Sequence, residues 1–107
     1  MTTAQAWASA QAAGSLVPES LAVEGFIHCS TAEQVVATAD RIFRGSGALL
    51  LLVIDPDRLT APLKWERATD VDAEFPHVFG PLNVDAVVGT AVMVEGAGGY
   101  ALPASLR

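Results

Sequence analysis

The sequence predicts an α+β domain, with two helices near the N-terminal half and mostly antiparallel strands after them. Three observations carry this. Helix-starting and helix-stopping signals fall before Gly45. The run 48–54 is apolar throughout and bracketed by Gly47 and Asp55-Pro56, which suits a central strand buried on both faces. Beyond it, 63–67 alternates apolar with charged residues and 86–94 is a second apolar run, with turn residues between them.

The elements follow in order. Thr2 to Gln5 has capping-box spacing and Gly14 supplies a stop, so a helix carrying Trp7 is expected there, with Met1 inside its first turn. Residues 15–24 read as a loop anchored by Leu16, Val17 and Leu21, with a short turn at Pro18. Phe26 to Cys29 fits a short strand. Ser30 or Thr31, followed by Glu33 and Gln34, then opens a helix over 31–44, which places Val35, Ala39, Ile42 and Phe43 on one face before Gly45-Ser46-Gly47 ends it. In the strand 63–67, Leu63 and Trp65 face one side and Lys64 and Glu66 the other. Residues 69–74 read as an acidic loop. Two prolines and a glycine argue for a rigid irregular path through Phe75-Pro76-His77-Val78-Phe79-Gly80-Pro81-Leu82. Residues 1–95 form one domain, and Gly96-Ala97-Gly98-Gly99 leads into a mobile tail, 96–107.

Composition narrows the function. A chain of 107 residues suits one domain with a real core. A formal charge of −6, with six Lys and Arg scattered along the chain, argues against nucleic acid, whose affinity comes from phosphate neutralisation. No stretch is long and apolar enough to span a bilayer, and no basic region precedes an apolar run at the N-terminus. A single cysteine excludes an internal disulfide and fits a reducing compartment, so a cytoplasmic location is expected.

The chemistry concentrates around two histidines. On an extended strand Phe26, His28 and Ser30 share a face, and the N–H groups of the next helical turn would point to the same place, ready for phosphate or carboxylate. His77 sits in the stiff proline-flanked segment, which should bring it within one side-chain length of the His28 face. Glu66, beside Trp65, is the carboxylate best placed to be oriented by an aromatic setting. Each has a plainer reading: His28 as a satisfied core histidine, His77 as a bridge between loop carbonyls, Glu66 as a surface ion pair with Lys64 or Arg67. Cys29 points away from His28 and reads as a structural cysteine. No metal site is expected, because His28, Cys29 and His77 lack ligand spacing.

The motifs Gly25-Phe26-Ile27-His28-Cys29-Ser30 and Phe75-Pro76-His77-Val78-Phe79-Gly80-Pro81-Leu82, with Gln34 and Leu63-Lys64-Trp65-Glu66 between them, resemble a small bacterial domain family of unknown function. Its members look like a compact form of the ADP-ribosyltransferase and tRNA 2′-phosphotransferase fold, in which split, mostly antiparallel sheets clasp NAD. The resemblance implies an NAD- or nucleotide-directed transferase or glycohydrolase, with NAD as substrate and no tightly bound cofactor. It implies His28, Glu66 and His77 as catalytic residues, and Phe26, Ser30, Thr31, Gln34, Phe79 and Gly80 around the ligand. The alternative is a non-enzymatic module using the same cleft for a small anionic ligand or a protein partner.

The chain departs from the family pattern in three places. The usual short first strand with its His is missing ahead of the Trp7 helix, Phe79 replaces the usual Tyr, and no Gln-x-Glu or Glu-x-Glu signature is visible. A lost first strand would leave an exposed sheet edge beside the 48–54 strand or the Phe26 strand, open to homodimer formation.

Overall fold

The computed structural model describes residues 1–68 and 71–106. Thr69 and Asp70, in the expected acidic loop, lie outside the described residues. The elements run α1 (Ala4–Ala13), β1 (Ser15–Leu16), α2 (Glu19–Glu24), β2 (Ile27–His28), α3 (Val35–Ile42), β3 (Leu49–Ile54), β4 (Leu63–Ala68), β5 (Ala73–Val78), β6 (Leu82–Asn83), β7 (Val87–Met93), β8 (Glu95–Gly96) and β9 (Gly99–Tyr100). Short 3-10 turns occupy Pro56–Arg58, Val84–Ala86 and Ala104–Leu106. The architecture is α+β, and all pairings between these strands are antiparallel: β2-β5-β4 form one sheet, with two-stranded pairs β3-β7, β1-β6 and β8-β9.

The N-terminal cap falls one residue later than the spacing suggests. Thr3, not Thr2, accepts the Ala6 N–H on its hydroxyl at 3.0 Å, and Gly14 closes α1 in the left-handed region at φ 91°. Thr2 is thereby freed for the sheet. Its N–H donates to the Leu50 carbonyl at 2.8 Å and its carbonyl accepts from Leu50 at 3.0 Å. Met1 therefore lies outside the helix, and the edge of β3 expected to be bare is met at Leu50 by the chain's own start.

Two further elements differ from expectation. The segment after Pro18 is a helix, α2, and not merely a turn. Helix α3 starts at Val35 instead of Thr31, because the Thr31 carbonyl accepts from both Gln34 and Val35 and holds the preceding residues in a turn.

The proline-rich segment is a strand, β5, in the middle of its sheet. Proline is tolerated because of which way its missing donor points. Cys29 donates to the Pro76 carbonyl at 3.1 Å, so position 76 directs its backbone groups toward β2 and away from β4. The ladder with β4 keeps its bonds, whereas the reciprocal bond to β2 cannot form and that pairing ends at His28–His77.

Strand β3 separates two apolar clusters. Leu49 and Leu51 pack with Val35, Ala39, Met93 and Tyr100, while Leu52 and Ile54 pack against Ile27, Val78, Leu82 and Ala86. This meets the expectation of a strand covered on both faces. Tyr100 corrects the expectation of a free tail from Gly96, being buried in the first cluster. Its N–H donates to Asp40 Oδ1 at 2.7 Å, and its hydroxyl lies 2.7 Å from the Gly47 carbonyl and 3.0 Å from that of Phe43. Glu95 accepts from the backbone N–H groups of Gly45 and Gly47.

Candidate functional site

The register of the three-stranded sheet decides which side chains meet. His28 lies opposite His77 across β2-β5, and His77 lies opposite Lys64 and Phe75 opposite Glu66 across β5-β4. Residues directly opposite share a face, so His28, His77, Lys64, Glu66 and Phe75 all project to one side. Ile27, Val78 and Leu63 project to the other, into the core.

The His28–His77 pair adjoins the bonded Cys29–Pro76 position, so it falls where strands approach most closely. The two imidazole centroids are 5.2 Å apart, edge to face. The Phe26 ring stacks on His77 at 4.2 Å with an interplanar angle of 11°, meets the edge of His28 at 4.8 Å, and lies 5.3 Å from Phe79. The Lys64 ammonium sits 5.0 Å over the Phe79 ring.

Each imidazole has its own carboxylate. His77 Nδ1 is 2.8 Å from Glu66 Oε1, and His28 Nε2 is 2.9 Å from Glu24 Oε2. A carboxylate only accepts, so both ring nitrogens donate. His77 in its neutral form then carries its lone pair on Nε2, and His28 carries its lone pair on Nδ1. His77 is largely enclosed, its side chain 13% exposed, whereas His28 at 54% and Glu66 at 45% stand open to solvent. The arrangement can bind a planar ring against Phe26, exchange protons with it, and offer carboxylate charge beside a developing cation.

Of the residues expected around a ligand, Phe26, His28, Glu66, His77 and Phe79 come together. Ser30, Thr31 and Gln34 form a separate linkage. The Ser30 hydroxyl donates to Thr38 at 3.3 Å, and the Thr31 N–H donates to Gln34 Oε1 at 3.1 Å. Gln34 Nε2 donates to the Glu74 carbonyl at 2.7 Å, tying the approach to α3 to the start of β5. Gly80 serves close approach: a Cβ there would stand 2.8 Å from the Ala61 Cβ.

Sequence reasoning missed Glu24. It ends α2, and Gly25 at φ 88° reverses the chain so that the carboxylate meets a histidine four positions on. The available signal was Glu-Gly-x-x-His, a helix-stopping glycine between an acid and an imidazole. Cys29 is half-buried in the core cluster behind the site, and burial pushes its thiol above the ordinary cysteine range. One hollow of about 250 Å³ lies elsewhere, between Met1, Thr3, Phe43, Ser46 and Leu49, and another of about 300 Å³ is lined by Glu19, Ser20, Val23 and Glu24. Among the described residues, no group of His, Cys, Asp or Glu has the arrangement of a metal site, and no helix is long and apolar enough to cross a membrane.

Comparisons with known proteins show the family and similar solved structures. The crystal structure of protein CC0527 from Caulobacter crescentus is 34% identical, superposes with a TM-score of 0.85, and covers 98% of this chain and 93% of its own. A crystal structure of a double mutant of CC0527 gives 34% identity and a TM-score of 0.84 with the same coverage. The solution NMR structure of CC0527 is 35% identical, with a TM-score of 0.75 over 92% of this chain and 84% of that one. No curated protein matches the chain. The family model described as protein of unknown function, DUF952, matches residues 1–90, which include both histidine motifs, and the chain belongs to the DUF952 family.

Proposed function

We propose that this domain is an NAD- or nucleotide-directed transferase or glycohydrolase of the ADP-ribosyltransferase type, working at the Phe26, His28, Glu66 and His77 face. The observation that carries the proposal is the Glu66–His77 pair at 2.8 Å, held beside the Phe26 stack at 4.2 Å. Phe26 and Phe79 would hold the planar rings of the ligand. As the glycosidic C–N bond of the nicotinamide ribose breaks, its electron pair leaves with nicotinamide and positive charge grows on the ribose. Glu66 balances that charge. An acceptor hydroxyl then bonds to the ribose carbon, and its proton passes to His77 Nε2, where Glu66 steadies the imidazolium. NAD is the substrate in this reading, no cofactor stays bound, and the single unpaired Cys29 suits the reducing cytoplasm.

The openness of the face favours a second reading. With His28 and Glu66 about half exposed, the same residues suit a module that binds a small anionic ligand beside Lys64 without turning it over. Thermal shift with NAD, ADP-ribose, nucleoside phosphates and glutathione, paired with an assay for nicotinamide release, separates the two. Release by the wild type and its loss in Glu66→Gln supports the enzyme. Stabilisation by ADP-ribose with no release supports the binding module, and no stabilisation by any of them overturns both.

A further inference from the structure

We propose that the protein forms a twofold homodimer by pairing β7 with β7 of a second copy, joining two two-stranded ribbons into one four-stranded sheet. Strand β7 pairs with β3 on one side, and among the described strands nothing pairs with its other edge. Proteins protect such edges with charge or proline. Here 86–94 contains neither, in a chain of formal charge −6. Like-charge repulsion is therefore absent along this edge, and a second copy is the partner it fits.

The backbone directions fix the register. Leu50 gives its N–H and its carbonyl to Thr2, so the groups of Leu50 face away from β7, and its partner Val92 must turn its own groups to the free edge. Two residues along, Thr90 does the same. The ladder is irregular between Val53 and Ile54, where Val88 is passed over, so the straight part of β7 runs over 89–93 with Ala91 at its centre.

A twofold axis at Ala91 places Thr90 opposite Val92 of the second copy and Val92 opposite Thr90. Each such pair exchanges two backbone hydrogen bonds, four across the axis. Val92, 57% exposed, gains Thr90 of the second copy as a β-branched cross-strand neighbour, and the exposed Val88 and Val94 flank the paired stretch. The small Ala91 on the axis lets the strands meet closely. A contact of this length falls at or below the low end of stable interfaces, about 1,200 Å² in total, so assembly should depend on concentration.

Sedimentation velocity over a dilution series tests this on the full chain. The wild type should pass from monomer to dimer as concentration rises. Val92→Lys and Thr90→Glu should each remain monomeric with an unchanged melting temperature, since both positions are exposed. Combining Thr90→Glu with Val92→Lys should restore the dimer, because each introduced carboxylate then faces an introduced ammonium of the other copy. A wild type that stays monomeric at sub-millimolar concentration overturns the proposal. So does a dimer indifferent to Val92→Lys, and failure of the double variant to re-associate overturns the Ala91-centred pairing.

Discussion

Two polar clusters in this molecule use their hydrogen bonds in opposite ways. Around Tyr100 the side chains bond to backbone: Asp40 takes the Tyr100 N–H, Glu95 takes those of Gly45 and Gly47, and the Tyr100 hydroxyl reaches two carbonyls. Around His77 the side chains bond to one another, imidazole to carboxylate and ring to ring. Backbone bonding commits a group to the fold. Pairing between titratable side chains at the surface leaves lone pairs and charge for something outside the protein.

The comparison predicts a large loss of stability from the first cluster and a small one from the second. Tyr100→Ala should cost about 3–5 kcal/mol, since it empties a core position and strands its partners. Chemical denaturation measures this, and a loss below about 1 kcal/mol would show that Tyr100 is not a lock. Gly99→Ala comes next. At φ 110° the new Cβ would be strained and 2.6 Å from Asp40 Oδ1, so a cost of about 1–3 kcal/mol is expected, and Asp40→Ala introduced alongside should remove part of it.

His77→Ala should cost about 1 kcal/mol through the lost Phe26 stack while abolishing ligand-induced stabilisation. His28→Ala and Glu66→Gln should cost no more than about 0.5–1 kcal/mol, as exposed pairs do, and still weaken binding. A melting temperature that falls as far for His77→Ala as for Tyr100→Ala would erase the distinction between the clusters.

The smallest effect concerns pH. Burial raises the Cys29 thiol in the folded state above its reference value of 9.0, so the unfolded chain loses that proton first as pH rises. The unfolded state then binds fewer protons, and stability falls as pH climbs through and above that value. Below it the contribution is fully present. Cys29→Ala should flatten the alkaline decline, and denaturation midpoints between neutral and alkaline buffer check it.

What the sequence made legible was local. The alternation of faces placed His28 on one side of its strand and Cys29 on the other, and stiffness around His77 was enough to expect the two imidazoles together. Pro76 misled, because proline argues against a strand only when its missing donor is needed, and that depends on which neighbour lies where. Glu24 escaped because the link to His28 depends on a reversal at Gly25 that helix spacing alone does not reveal. Gly96 to Gly99 look like chain breakers, and nothing nearby announces that Tyr100 belongs to a core assembled sixty positions earlier at Asp40.

That long reach bears on how the protein is made. Synthesis delivers Asp40 and the Gly45–Gly47 loop well before Tyr100, so until Tyr100 follows, the end of α3 waits without the residue that fastens it. Until then the apolar faces of β3 and α3 remain accessible to chaperones or to neighbouring chains. Cooperative closure waits for Tyr100, and a nascent chain stalled short of Tyr100 should remain protease-sensitive throughout the Tyr100 cluster.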